Sequence, residues 1–598
     1  MASPGKRQSM ETILTFDNRD TLSQWSVVWS TTHITDMENA AARSARMREH
    51  GRRRLRIGSL AISALMTMHC RLTAAALTGE FFFFMMFLVA AVALLANPMR
   101  HFEVYLGQWS ISGPGRAFRM IPMLDGIGIA MCINAIVRAI SCCTMAAIAA
   151  LYVIHAVSDA ELPFKYCRDF NLEKYTPGRK QIPIARRGVS ESCIIIIIYF
   201  QTRFCYCRRN RKFQFLPKIK VCKEKYVVPQ IVHLILIYNN LKQWIVLVPW
   251  VWCMVLIAQA ASNLTWAQTL RRVFQLSNRK DTVAIADAFE LALYIHSIGV
   301  GTELIHGKAL HYYASGHIDP DLGGENVWHS VIVLLLAGLH SGGSAMCAIV
   351  DYKHFSAKPT SYNMKESTLW IMPMYSKCTS MGNYTHLVTC LIFGGLTFSY
   401  MAVAYFLLKT ALHTIFEYRV KLVHREQLVV AGLILPCVGL NMVYATNGGI
   451  ALLESVDALM NGIAVMFVMF MEVICFMYVY RSHDFQSDMH VATEDSTCAS
   501  RIGIQWQIIP FLTLVCRFIP TNIKIHRPNF ALCRQCNYCY KIIFQTALGM
   551  KISVLPDAEM GSMYMWFATI PLAALVLALP LRAASNALWF LRHKSPTN

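Results

Sequence analysis

Long apolar stretches alternate with short polar or basic segments along most of the chain. Several reach about 20 residues, the length a helix needs to cross a bilayer. The clearest is EFFFFMMFLVAAVALLAN, at Glu80–Asn97. The preceding stretch, Ile57–Gly79, is a poorer span, because His69, Cys70 and Arg71 stand at its centre and an arginine at mid-membrane is costly. The pattern predicts a bundle of membrane-spanning helices.

The same pattern continues to the end of the chain. We predict a basic cytoplasmic tail at residues 1–56, a membrane domain at residues 57–592 and a C-terminal tail at residues 593–598. Seven arginines directly before the first apolar stretch favour a cytoplasmic N-terminus. Further spans are predicted from Trp244 onward and at Asp125–Val157, Asp287–Ile305, Val327–Tyr352, His386–Thr414, Val429–Phe485, Trp506–Pro520 and Met563–Leu591.

Composition agrees with a protein embedded in lipid. Of 598 residues, 55% are hydrophobic and 15% are charged, against about 25% charged in soluble domains. The net charge of +21 does not require nucleic acid, because the basic residues lie mainly in the N-terminal tail and in loops, where they attract lipid headgroups. The 20 cysteines are scattered and do not form a disulfide framework. We expect the lipid bilayer as a partner and no nucleic acid; the oligomeric state stays open.

One segment carries a more specific signal. An apolar stretch ends at Pro98, a Gly/Ser/Pro turn with two arginines follows, and a second span leads into an acidic loop that reaches Cys167. The strings FEVYLGQWS, SGPGRAFRMIP, DGIGIAM and ELPFKYC occur there in that order. In order and spacing they resemble the second and third helices of the neurotransmitter:sodium symporter family. Val429–Phe485 resembles the ninth and tenth helices, with Asp457 and Glu472 at matching intervals.

The resemblance covers roughly Glu80–Cys167, Trp244–Val350 and His386–Pro520. It implies an all-α, multi-pass membrane helix bundle with an inverted-repeat, broken-helix transporter architecture. It also implies sodium-coupled symport of an amino acid or related small zwitterion by alternating access, at the plasma membrane. The chain has no HExxH, G-x-S-x-G or GxxxxGK[ST] motif, so we predict neither enzyme activity nor ATP-driven pumping.

The stretch Asp287–Ile305 resembles the family's broken sixth helix. Ser297, Gly299 and Gly301 match its serine and glycines, whereas Glu303 stands in place of a third glycine. Glycine permits an unwound backbone because it has no Cβ, and free carbonyls and hydroxyls are suitable sodium ligands. Without the resemblance, the same glycines would indicate close packing of two membrane helices.

The resemblance further implies individual site residues. In the seventh helix the family's sodium-ligating asparagine falls at Ser330. The third-helix tyrosine pair, one of which touches the substrate, falls at Ser141 and Cys142. The predicted sodium ligands are therefore Ser297 and Ser330, and the predicted substrate contacts are Gly299, Gly301, Ser141 and Cys142.

Several family features are unmatched. The first-helix tryptophan-arginine-phenylalanine-proline-tyrosine signature has no counterpart in Ile57–Gly79. Leu334 replaces the chloride-binding serine, which argues against chloride dependence, and Ala402 and Val403 replace the aspartate and serine of the second sodium site. Arg138, one turn before the predicted substrate contacts, either snorkels to the interface or faces a wet interior cavity.

Basic inserts at about 168–243 and 521–546 match no family segment. The first is a lineage-specific insert, a changed topology or translated non-coding sequence. The resemblance implies a disulfide from Cys167, with Cys193 as its nearest candidate partner. Asn263 and Asn383 begin glycosylation sequons. The second insert contains three cysteines at Cys533, Cys536 and Cys539 with His526, but it lacks the second well-spaced pair of a structural zinc site.

Three functions remain open from the sequence. The first is sodium-coupled transport of a small zwitterion. The second is a transport-inactive member that keeps only the scaffold. The third is a membrane protein that uses the same fold for binding alone or as a channel.

Overall fold

The protein, seen in a computed structural model, is a bundle of helices. The structure describes residues 49, 51–78, 81–158, 247–261, 282–313, 322–355, 382–444, 449–493, 503–512 and 562–593. Within these ranges the residues from 54 onward form one compact unit, and residues 49 and 51–53 belong to a separate one. No strand occurs in the described part of the chain. The all-α prediction is therefore confirmed.

The helices are numbered in chain order. They are α1 (54–66), α2 (Cys70–Thr78), α3 (Phe81–Ser110), α4 (Gly126–Ser158), α5 (Leu247–Ala261), α6 (Thr282–Ile295), α7 (Thr302–Tyr313), α8 (Leu322–Phe355), α9 (Thr385–Tyr418), α10 (Glu426–Tyr444), α11 (449–479), α12 (Ser482–Thr493), α13 (503–512) and α14 (Ser562–His593).

Seven helices in the described ranges are long and apolar enough to cross a membrane, and α5 is a shorter apolar helix. The central helices α4 and α9 pack along each other. The helix α10 is peripheral, and it leaves Leu428 and Leu435 exposed on its apolar surface. Exposed leucines on a membrane-length helix are suited to contact with lipid. These features confirm a multi-pass membrane protein.

The structure corrects the predicted end of the second span. The helix α3 does not stop at Pro98 but continues to Ser110, and the chain turns at Ile111, which has a φ of 50°. A π-helical turn at Val92–Ala96 precedes the proline. This wider turn shifts the hydrogen-bonding register next to Pro98, so the missing proline N–H does not break the helix.

The Gly/Pro turn after α3 is fixed to the end of α9. The Glu417 carboxylate accepts hydrogen bonds from the backbone N–H groups of Gly113, at 2.8 Å, and Gly115, at 3.1 Å. Lys308 of α7 donates to the same carboxylate at 2.5 Å. The turn recognised in the sequence thus joins α3, α7 and α9 through one buried carboxylate.

Candidate functional site

The chain between α6 and α7 is unwound over residues 296–301. Ser297, Gly299 and Gly301 have positive φ angles of 56°, 71° and 83°. A Cβ strains the backbone in this region, whereas glycine adopts it freely. At Gly301 a Cβ would also lie 2.2 Å from Cγ of Pro114. The break predicted at these glycines is therefore present, and two of its positions suit glycine best.

Side chains from neighbouring helices satisfy the unwound backbone. The N–H of Gly299 donates to Glu103 of α3 at 2.8 Å, and the Gly299 carbonyl accepts from Nδ2 of Asn134 of α4 at 3.1 Å. The hydroxyl of Thr302 donates to the Ser297 carbonyl at 3.2 Å. Glu103 and Asn134 are completely buried. Interrupted helices are tolerated at membrane depth because protein groups replace the lost helical bonds in this way.

A second interruption separates α1 from α2 at residues 67–69. The Thr67 hydroxyl donates to the Ala64 carbonyl at 2.7 Å and lies 2.7 Å from Nδ1 of His340. The stretch expected to be one poor span, Ile57–Gly79, therefore contains two half-helices. At the end of this break the backbone N–H of Cys70 donates to the Tyr400 hydroxyl at 3.0 Å.

A small cavity lies beside the two interruptions. Its volume is about 20 Å³, roughly the space of one or two water molecules. Residues of α4, α9 and α11 complete its wall. The lining residues are His69, Arg71, Ser141, Cys142, Met145, Tyr294, Tyr400, Leu453, Glu454 and Asp457.

An ion pair crosses the wall of this cavity. Arg71 donates to the Asp457 carboxylate at 2.9 Å and to the Asp457 carbonyl at 3.0 Å, and it lies 3.5 Å from the Glu290 carboxylate. These contacts offset the cost of an arginine at this depth. The pair joins the half-helix α2 to α11, so separating the two helices would open the cavity.

Aromatic rings form the other side of the cavity. The His69 ring stacks on Tyr400 with centroids 3.9 Å apart, and Nδ1 of His69 is hydrogen-bonded to the Tyr294 hydroxyl. The guanidinium carbon of Arg138 lies 4.6 Å from the centre of the Tyr294 ring. Arg138 is 2% exposed. Its position favours the interior alternative over snorkelling to the membrane surface.

The predicted substrate contacts divide into two groups. Ser141 and Cys142 line the cavity. Gly299 and Gly301 lie in the helix break and are not part of the cavity wall. Their side-chain-free backbone instead allows close contact with the surrounding helices, including Pro114.

The predicted sodium ligands both face the protein interior. Ser297 is completely buried, and its hydroxyl donates to Sδ of Met66 at 3.2 Å. The Ser330 hydroxyl lies 3.2 Å from Nε2 of His296 and 3.2 Å from Oδ1 of Asn97. The structure thus places both hydroxyls at the helix break, but outside the cavity that contains Ser141 and Cys142.

Glu303, which stands in place of the family's third glycine, forms a buried ion pair with Arg100. Its carboxylate lies 3.3 Å from Nε of Arg100 and accepts from the Ser59 hydroxyl at 3.0 Å. Arg100 also donates to Asn326, whose amide donates to Oδ1 of Asn97 at 2.5 Å. The third glycine of the family is therefore replaced by half of a buried ion pair, connected by hydrogen bonds to the surroundings of the predicted sodium ligands.

The two positions of the family's second sodium site lie in α9 and have no polar side chain of this kind. Ala402 and Val403 carry no oxygen in their side chains. The nearby Ser399 hydroxyl donates to the Leu65 carbonyl at 2.7 Å, just before the first break. Thr397 donates within its own helix to Phe393 at 2.8 Å. No group of three or more His, Cys, Asp or Glu residues in the described ranges is arranged to hold a metal ion.

Several predicted sites cannot be placed. Cys167, Cys193, Asn263 and the cysteine-rich segment around Cys533 lie outside the described residues. Asn383 is exposed in the short 3-10 turn Gly382–Tyr384 that precedes α9. The predicted disulfide and glycosylation sites remain predictions.

The structure also identifies cavity residues that the sequence reasoning missed. His69, Tyr294, Tyr400 and Glu454 reach the cavity from four different helices or breaks. Only long-range packing brings them together, so no local pattern could have found them. Arg71 stood out in the sequence only as a costly arginine in the middle of a poor span.

Comparisons with known proteins agree with this architecture. The sodium:neurotransmitter symporter family matches residues 78–558, which is most of the chain. A comparison with curated proteins gave no match. The matched range includes α3, both sides of the break between α6 and α7, and the wall contributed by α4, α9 and α11. The chain belongs to the sodium:neurotransmitter symporter family.

Proposed function

We propose that this protein is a sodium-coupled symporter that carries an amino acid or related small zwitterion across the plasma membrane by alternating access. The observation that carries the proposal is the cavity beside the two interrupted helices, with Ser141 and Cys142 in its wall. Interrupted helices at mid-membrane are where such transporters bind substrate and ions. The wall also contains Arg71 and the carboxylates of Glu454 and Asp457, so charges of both signs are available to a zwitterion.

The contact between α2 and α11 is suited to gate this cavity. Arg71 and Asp457 hold the two helices together across its wall. Rocking α2 away from α11 would break this pair and admit solute, and re-forming it would close the site. The small volume of about 20 Å³ corresponds to the closed arrangement.

The proposed sodium ligands include the Ser330 hydroxyl and Oδ1 of Asn97, which lie next to the break between α6 and α7. The Ser330 hydroxyl and Oδ1 of Asn97 lie 3.2 Å apart, and Ser297 is next to His296, which contacts Ser330. Hydroxyl and amide oxygens are ligands that hard cations prefer. Leu334 is partly buried and apolar, so we expect transport without chloride.

Uptake of a tritiated amino-acid mixture by cells that express the full chain tests the proposal. We expect uptake in sodium buffer that is lost when choline replaces sodium and is unchanged when methanesulfonate replaces chloride. Ser330→Ala should raise the sodium concentration needed for half-maximal uptake. Ser341→Ala is the matched control on α8, because the Ser341 hydroxyl bonds to its own helix at Ala337. Uptake that is equal in sodium and choline would contradict the proposal.

A scaffold that binds without transporting is the second candidate. The observation that favours it is in α9, where Ala402 and Val403 provide no side-chain oxygen and Ser399 is bonded to the Leu65 carbonyl. Surface biotinylation separates the two candidates. Protein that reaches the surface and binds amino acid, but shows no sodium-driven uptake, would support the second.

A further inference from the structure

Arg138 is a buried cation that has no counterion in contact among the residues that the structure describes. It lies near the middle of α4, one turn before Ser141, and is 2% exposed. Within the described part of the chain, its Nε, Nη1 and Nη2 atoms have no hydrogen-bond partner. Its guanidinium carbon lies 4.6 Å from the centre of the Tyr294 ring, a cation–π contact.

Such an arrangement is costly for the empty protein. A guanidinium does not lose its proton in proteins, so it cannot escape the cost by becoming neutral. Buried charges are normally paired, and an uncompensated one destabilises a fold by several kcal/mol. A ring face supplies only part of what five N–H donors require. The donors that are unmet among the described residues leave Arg138 able to bind a partner that is present only part of the time.

Unpaired atoms also lie in the wall of the neighbouring cavity, which Arg138 itself does not line. The Ser141 hydroxyl and Nε2 of His69 have no partner among the described residues, and both residues line the cavity. Tyr294 lines it as well, and the Arg138 guanidinium lies over its ring. Arg71 provides the contrast, because it lines the cavity itself and is already bonded to Asp457.

We propose that Arg138 binds the carboxylate of the substrate, so that only molecules with a carboxylate are recognised. This inference rests on the proposed function and specifies its substrate class. The Tyr294 ring shields the guanidinium in the closed, empty cavity and turns aside when substrate enters. The planar guanidinium then donates two parallel hydrogen bonds to the carboxylate, and the Ser141 hydroxyl donates a third. This fork geometry fits a carboxylate better than a spherical anion.

Thermal unfolding of the purified full-length protein with three related probes tests the proposal. L-Alanine has a carboxylate and an amine, propionate has only the carboxylate, and L-alaninamide has only the amine. We expect L-alanine and propionate to raise the unfolding temperature and L-alaninamide to leave it unchanged. Arg138→Met should weaken binding of both carboxylates about tenfold or more. Arg138→Lys should retain part of the affinity but not the fork geometry.

Two further measurements separate a binding role from a structural one. Arg138→Met keeps the side-chain volume and removes a buried unpaired charge, so it should raise the unfolding temperature of the ligand-free protein. A structural arginine would give the opposite sign. Arg425→Met, at an exposed arginine, is the control and should change neither stability nor binding.

Four results would overturn the inference. They are equal stabilisation by L-alaninamide and L-alanine, no stabilisation by either carboxylate, unchanged carboxylate affinity in Arg138→Met, and stabilisation by chloride alone that depends on Arg138.

Failure of the carboxylate inference is distinct from failure of the proposed function. Arg138-dependent carboxylate binding without sodium-driven uptake rejects transport only, whereas sodium-driven uptake of L-alaninamide rejects the carboxylate requirement only.

Discussion

Two arginines beside one cavity illustrate how partners determine the role of a residue. Arg71 bonds to the carboxylate and carbonyl of Asp457, whereas Arg138 has no hydrogen-bond partner among the described residues and lies over the Tyr294 ring. A paired arginine holds two helices together, whereas an unpaired one can hold a ligand. The same residue type thus serves closure at one position and recognition at the other.

Breaking the Arg71 pair should open the cavity to solvent. In Asp457→Asn the charge is lost while the side-chain shape is kept, and a hydrogen bond between charged groups contributes about 1.5–3 kcal/mol. Cys142 lines the cavity, so we expect its alkylation by a soluble maleimide to become about tenfold faster, which corresponds to about 1.4 kcal/mol. Peptide mass spectrometry measures the rate.

Cys475 is the internal control for that experiment, since it is completely buried and does not line the cavity. Its alkylation should be unchanged. The double variant Arg71→Asp with Asp457→Arg should restore part of the protection of Cys142. Equal alkylation of Cys142 in Asp457→Asn and the unmodified protein would show that the pair does not close the site.

At the scale of elements, the interruption between α6 and α7 depends on both backbone and neighbours. Glycine makes the positive φ angles possible, and Glu103 and Asn134 satisfy the Gly299 backbone. Close packing also occurs nearby, since a Cβ on Gly107 would lie 2.1 Å from the Leu304 carbonyl oxygen. At Gly301 itself both explanations considered from the sequence apply, since it has a φ of 83° and a Cβ there would lie 2.2 Å from Cγ of Pro114.

Gly301→Ala should destabilise the folded protein. The alanine would have to adopt a φ of 83°. Its Cβ would lie 2.2 Å from Cγ of Pro114, which is a steric overlap. Left-handed backbone and overpacking together cost at least about 2 kcal/mol. Size-exclusion chromatography after heating in detergent measures the temperature at which half of the protein is lost, and this temperature should fall by several degrees.

Gly432→Ala is the matched control for that variant. Gly432 lies in the helix α10 with nothing within 4 Å of the position of a Cβ. Alanine is the better helix former, so this variant should be neutral or slightly stabilising. If the two variants unfolded at the same temperature, the unwound geometry at Gly301 would not be required for stability.

At the scale of the whole molecule, residues that are far apart in the sequence line one cavity. Its wall comes from α2, α4, α6, α9, α11 and the first break. All these residues lie within described ranges and outside the inserts at about 168–243 and 521–546. We therefore expect the cavity to form without the first insert.

Deletion of residues 174–240 should leave surface expression and the unfolding temperature unchanged. Deletion of the apolar helix Leu247–Ala261 is the control. It should abolish surface expression and the cooperative unfolding transition, because Trp252 of this helix is buried and donates to the Ile392 carbonyl at 2.9 Å. Transcript reads that splice out Lys174–Asn240 would identify the segment as non-coding. A folded, surface-expressed protein that is lost on deletion of 174–240 would instead make the insert part of the structure.

The sequence by itself determined the fold class and the family. Runs of about 20 apolar residues have few alternatives to membrane helices, because an unsatisfied backbone is too costly in lipid. The strings around Glu103 and the glycines before Thr302 carried enough order and spacing to indicate the family and one helix break. These features are local in the chain, and local patterns can be recognised without knowing the packing.

Only the tertiary structure decided which residues share the cavity. Arg71 and Asp457 are 386 positions apart, yet they form the pair that turns an apparently costly arginine into a helix contact. No local pattern predicted the break before Cys70. The same holds for the burial of Arg138 against the Tyr294 ring. The physical reason is that a buried charge is stable or unstable according to its partners, and those partners are selected by the packing of distant helices.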